Sequence, residues 1–401
     1  MATTPAPYAG PILLAEGFRP FFLAAAVWAA VALGLWVALM SGAIAGPRGL
    51  DPLAWHIHEM LFGFVMAGVA GFILTAIPNW TGRPPLRGAP LAGLVGLWLA
   101  ARLLALANLV GTPPAALVAM VDSGLPLALA VYAARQVVAA RNRRNLVMTV
   151  PLLVLATADG LMMAEGAGVA VPAGLGWRLG LAAIIILISA IGGRIIPTFT
   201  RNWLTKRGAA TLPPASPGLI DRLALASLPS GLLAWAFLAD GGRVAAAITG
   251  GLLLLASALN LARLARWRGW ATRAEPLLGV LHLGYFWVVA GTALLGGALL
   301  TNAVPLAAAI HALTAGAIGT MMLAVMSRAS LGHTGRTLTA DRVTVWVYLL
   351  VNGAALSRIA ASLTGGLPLA PLVLSAILWT GAFALFALRY APYWCRPRVA
   401  A

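Results

Sequence analysis

Five histidines, His56, His58, His282, His311 and His333, stand in a chain that has one cysteine, Cys395. Neutral imidazole ligates copper, zinc and haem iron. Disulfides, thiolate clusters and a CxxCH haem attachment all need a second cysteine, so none of them forms within one chain. The chemistry open to these residues is metal ligation through nitrogen, with hydrogen bonding at helix ends as the plainer alternative. Asp51-Pro52 is a helix start, an N-cap followed by proline at the first helical position. On that helix His56 and Glu59 share a face, while His58 points about 200° away from His56. The two histidines therefore cannot both ligate one metal from a regular helix. Two ligand sets stay open: His56 and Glu59 with His311, or His58 with His311. Met321, Met322 and Met326 offer thioethers, although packing is the commoner use of a Met-rich helix.

The elements that carry these residues follow from composition. Of 401 residues 61% are hydrophobic and only 9% are charged, which describes an all-α, polytopic helical membrane protein, since helices satisfy their own backbone in lipid. The net charge of +17 and pI near 11.7 do not indicate nucleic acid, because the basic residues sit in short connections and not on one face. About twelve spans are expected, from 21–44 to 367–388, in one transmembrane domain of two six-helix halves. The halves cover approximately residues 1–206 and 219–401, joined by a linker at 207–218 with a TLPPASP core. Arginines cluster after even-numbered spans (Arg141 to Arg144, Arg201, and Arg263 to Arg273 among them). The opposite connections hold little beyond Arg48, Arg178 and Arg243. By the positive-inside rule both termini are cytoplasmic, and the first twenty residues lack the basic start and cleavage site of a secretory signal.

That topology sorts the histidines by depth. His56 and His58 begin span two at the outer face, and His311 lies about 10 Å into span ten from the same side. His282 is at a similar depth in span nine from the cytoplasmic side, and His333 follows span ten there. His311 and His333 are 22 residues apart, about 33 Å along a helix. Two sites are expected: an inner one with His282 and His333, and an outer one with His56, His58 and His311, with Glu59 as ligand or acceptor. Arg194 in span six needs an anion at its depth, either Asp159 of span five or an anionic ligand. Arg102 and Arg358 are within what snorkelling explains. An internal repeat is also expected. His58 to Arg83 lies over His311 to Arg336 without gaps, with Gly63 on Gly316 and Thr81-Gly82-Arg83 on Thr334-Gly335-Arg336.

Six motifs together resemble the NnrS family: GFRPFF from Gly17, WHIHEMLFGF from Trp55, AIPNWTGRPPL from Ala76, GGRIIPTFTRNWL from Gly192, LHLGYFW from Leu281, and HALTAGAIGTMMLAVMSRASLGHTGR from His311. The resemblance spans nearly the whole chain and takes in all five histidines. It implies a haem- and copper-containing protein of the inner membrane of denitrifying and related bacteria, tied to nitric oxide and nitrosative stress. Haem would be b-type. The numbers of imidazoles favour haem inside, on His282 and His333 with Arg194, Arg201 or Arg336 on its propionates, and copper outside; an outer haem is the alternative. Nitric oxide or nitrosylated iron would be the ligand, handled by redox turnover or by binding. A secondary transporter of a small anionic or metal-complex substrate, and an assembly factor for a denitrification metalloenzyme, are the competing classes.

Overall fold

The computed structural model describes residues 8–48, 51–301, 303–364 and 369–399, and among them the regular structure is helical with no strand. The long helices are α1 (Phe18–Met40), α2 (Pro52–Thr81), α3 (Ala89–Val110), α4 (Ala115–Ala139), α5 (Val150–Gly166), α6 (Leu175–Lys206), α7 (Leu219–Leu238), α8 (Gly242–Ala265), α9 (Pro276–Leu300), α10 (Leu306–His333), α11 (Arg342–Leu363) and α12 (Leu369–Cys395). Eleven helices among the described residues are long and apolar enough to cross a membrane. The expected fifth span is α5, whose 17 residues reach about 25 Å, short of the ~30 Å hydrocarbon core. A 3-10 turn at Val147–Thr149 interrupts the helix before it.

α1 packs along α2 and along α12. Its contact face is small: Ala25, Ala29 and Ala32 are wholly buried at helical spacing, so the backbones approach closely and gain dispersion contact, the principal packing force where lipid is as apolar as the partner. Arg19 ties the two ends of the chain together, since its Nη1 donates to the carbonyls of Trp394 and Arg396, both at 2.9 Å.

α2 and α10 share features in the register in which their sequences align. Each widens into a π-helical stretch directly after its histidine, at Glu59–Val65 after His58 and at Ala312–Gly319 after His311. Wide turns of this kind shift carbonyls out of the ordinary ladder and cluster at functional sites; Trp98 Nε1 donates to the carbonyl of Gly63 at 2.9 Å. Gly63 and Gly316 each lie against a tryptophan, Trp28 and Trp287, where a Cβ would collide. Both helices stop at the TGR triplet, where Gly82 and Gly335 take φ of 67° and 75°, a left-handed geometry that suits glycine. Thr81 and Thr334 bond back to Ile77 and Ser330.

Candidate metal centre

The first turn of α2 is set by Asp51, whose Oδ1 accepts from the backbone of Leu53 and Ala54 at 2.9 and 3.0 Å. The helix then carries His56 and His58 to opposite sides, as the 100° step requires. On one side His58 enters a buried polar cluster. Its Nε2 lies 2.9 Å from Asp159 Oδ1 on α5 and 3.8 Å from Asp122 Oδ2 on α4, and its Nδ1 lies 2.9 Å from Glu59 Oε1. Glu59 Oε2 accepts from Arg102 Nη1 of α3 and, at 2.9 Å, from Trp28 Nε1 of α1. Arg102 Nη2 donates to Asp122 Oδ1. These two donors hold Glu59 beside His58, so it does not join His56 as the helical spacing alone suggests.

The cluster has the parts of a metal site. One atom each from His58, Asp122 and Asp159 lie within 4.8 Å of one another, and Asp122 Oδ2 and Asp159 Oδ2 are buried with no hydrogen-bond partner. Asp159 is 0% exposed, Glu59 1%, Arg102 3%, and Asp122 and His58 4%, so bulk water does not supply the missing bonds. A carboxylate on the far imidazole nitrogen is the usual support of a metal-bound histidine, and Glu59 stands there. Three carboxylates face one guanidinium; with His58 neutral, a dication brings the cluster to zero charge. Buried charge is tolerated only when compensated.

On its other side α2 faces a cavity of about 420 Å³ lined mainly by α2 and α10, with residues of α1, α6, α11 and α12. His56 and His311 both line it, with Arg358 of α11. His56 stacks on Trp36, ring centroids 4.5 Å apart, and its Nδ1 is buried without a partner. His311 Nδ1 bonds the carbonyl of Ala307 at 2.7 Å; Nδ1 therefore carries the proton and Nε2 keeps its lone pair, the tautomer of a metal ligand. The expected outer group of three histidines thus divides, His56 and His311 in the cavity and His58 with Glu59 in the cluster.

The expected inner group is not brought together. Gly284 of α9 packs on Met321 of α10. From that contact His282 is two residues, about 3 Å, and His333 twelve residues, about 18 Å, toward the same end of the bundle. His282 Nε2 bonds Thr200 Oγ1 at 2.9 Å while its Nδ1, buried and unpartnered, faces Gly269. His333 stands against Phe18, 5.5 Å between centroids. Arg201 donates to the Pro213 carbonyl at 2.6 Å, and Arg336 lies 3.9 Å over the ring of Tyr393.

Three arginines differ from expectation. Arg194 is on the exposed face of α6, and its candidate partner Asp159 is engaged by His58. The guanidinium buried at Gly193 is that of Arg263. Arg263 belongs to α8 and not to a connection. It bonds Asp221 Oδ1 at 3.1 Å and Tyr285 Oη at 2.9 Å, and Tyr285 donates in turn to Asn260 at 2.6 Å. Arg102 does not snorkel, because it has two carboxylate partners within the bundle. Asp122 was missed altogether. The signal for it was carboxylates at membrane depth in a chain with only ten acidic residues.

A search of curated proteins finds no match. The family described as NnrS protein matches residues 12–398 of the 401, from the turn before α1 to the segment that bonds Arg19, and on that match the chain belongs to the NnrS family.

Proposed function

We propose that this membrane protein binds haem in the His56–His311 cavity and copper at His58, Asp122 and Asp159, and uses them to handle nitric oxide by binding it or nitrosylated iron, or by redox turnover. The observation that carries this is the bonding of His311: with Nδ1 committed to Ala307, Nε2 keeps its lone pair for a metal in a largely apolar cavity that also holds His56, whose Nδ1 has no partner. The family supplies the expectation of haem and copper, and these residues fit it. Haem would supply an iron that binds a diatomic ligand and changes oxidation state.

The chain's own residues do the rest. Trp36 fixes the ring plane of His56 by stacking, and Ala307 fixes the tautomer of His311. Arg358, half-buried and held by Ser362 Oγ at 2.8 Å, offers a guanidinium to a carboxylate of the bound group. Leu61, Phe64 and Trp379 line the cavity and exclude water. At the second centre one nitrogen and two carboxylates suit a divalent ion such as Cu(II) better than Cu(I), which prefers sulfur. Glu59 orients His58 toward that ion. With the arginine-rich connections facing the cytoplasm of a bacterial inner membrane, both centres lie in the outer half.

The test is the visible spectrum and metal content of the purified protein. A non-covalent b-type Soret band is expected, removed or shifted by His311→Ala or His56→Ala and retained in His282→Ala and His333→Ala. Copper should fall in Asp159→Asn with the Soret band unchanged. A band lost with His282→Ala but kept in His311→Ala would refute the assignment, and a colourless protein from haem-replete cells would favour the transporter.

A further inference from the structure

Below the His56–His311 cavity lies a second chamber of about 70 Å³, and α1, α2, α6 and α10 contribute to the lining of both. On each of the last three the lining passes from one to the other in a three-residue step: Val65 to Gly68 on α2, Leu181 to Ile184 on α6, and Ile318 to Met321 on α10. The face of α6 runs along both spaces. Trp177, Leu181, Ile184, Ile188, Ile191 and Ile195 line the two spaces in turn, an i, i+4, i+7 stripe whose ends stand 18 residues apart, about 27 Å along the helix. That nearly equals the ~30 Å hydrocarbon thickness of a bilayer. One turn beyond Ile195 the stripe ends at Phe199, where the Arg328 guanidinium sits 4.1 Å over the ring.

The chamber's chemistry restricts what enters it. Every residue that lines it is Phe, Val, Ile, Leu, Met or Gly, and a buried water needs two to four polar partners, so the space is dry. A cavity of about 150 Å³ is what holds a benzene, and the chamber's volume of about 70 Å³ suits a much smaller molecule. Ile188, Ile191, Ile195, Met322 and Val325 are only half-buried, which leaves the chamber open on the side of the acyl chains. Ions meet the Arg328–Phe199 pair at one end and apolar walls elsewhere.

We propose that this stripe is an apolar path along which a small uncharged molecule of diatomic size passes from the bilayer interior to the His56–His311 cavity. What the molecule meets there rests on the proposed haem site; the path itself does not.

Xenon, an apolar atom of suitable size, is the probe. In xenon-pressurised crystals of the full-length protein, density is expected in the lower chamber beside Ile188 and Met322, and Ile188→Trp should displace it. In the haem-loaded protein, carbon monoxide is the second probe. After photolysis, recombination from solution should slow about tenfold in Ile188→Trp, equivalent to about 1.4 kcal/mol on the access barrier, with the Soret band unchanged. Leu153→Trp, on an exposed face of α5, should leave the rate alone. Met322→Phe narrows the same chamber and replaces Ile188→Trp if that variant does not fold. No xenon in the wild-type chamber overturns the proposal, and so does xenon binding with recombination unaltered in both chamber variants. A protein that takes xenon there but binds no haem refutes the haem assignment and leaves the path supported.

Discussion

Arg102→Met is the most informative single change in the buried cluster. Arg102 touches Glu59 and Asp122, and two opposite unit charges about 4 Å apart attract by about 4 kcal/mol at an effective dielectric near 20. Desolvation offsets much of that, but removing one partner of a buried pair still costs about 3–5 kcal/mol, because the others stay buried and unpaired. With Arg102 gone the three carboxylates exceed a bound dication by one negative charge. Asp122→Asn removes that excess, so the double variant Arg102→Met/Asp122→Asn should be more stable than the sum of the single effects predicts, by about 2–3 kcal/mol. Equilibrium unfolding in mixed micelles, with and without a chelator, reads this cycle. Saturation with the divalent metal at about 100 times its Kd should add about 2.7 kcal/mol to the wild type, a gain that Asp159→Asn loses. Additivity of the two substitutions within about 0.5 kcal/mol, with no response to chelator, would show that these groups do not form one charge-balanced unit.

Gly316→Ala would place a methyl 2.6 Å from the Trp287 ring, which Asn352 pins at 2.8 Å through Nε1; overpacking of this kind costs about 1–3 kcal/mol, read in the same unfolding assay. Arg263→Met should destabilise by about 3–5 kcal/mol by leaving Asp221 and Tyr285 short of their donor. Asp341 caps α11 by accepting from the Thr344 backbone N–H at 2.8 Å. Burial raises its carboxyl, but that bond and Arg389, 2.6 Å away, outweigh it and hold the carboxyl below its ordinary value. A depressed carboxyl stabilises the fold above its unfolded pKa, and this is lost as pH falls through the folded value. Acid sensitivity below about pH 4 should therefore be weaker in Asp341→Asn than in the wild type, as followed by tryptophan fluorescence against pH.

The sequence by itself determined the fold class. An apolar fraction this high with so few charges leaves only helices able to close their backbone bonds in lipid. It also determined that His56 and His58 diverge, because the 100° step belongs to every α-helix. Which side chains meet was decided only by the tertiary structure. His58 finds Asp159 across 101 residues and Arg102 finds Asp122 across 20; helical periodicity says which face a residue occupies, not which neighbouring helix lies against it. Arg194 and Arg263 show the same limit. Both are arginines within long helices, yet the rotation of α6 turns Arg194 outward and opens Gly193 to Arg263. The π-helical widening after His58 and His311 likewise has no local signature in propensity. It depends on how α2 and α10 pack within the bundle, where Trp98 takes the carbonyl of Gly63 and tryptophans close on Gly63 and Gly316. The division of the outer histidines into a cavity pair and a cluster member follows from those same contacts, since Arg102 and Trp28 hold Glu59 beside His58.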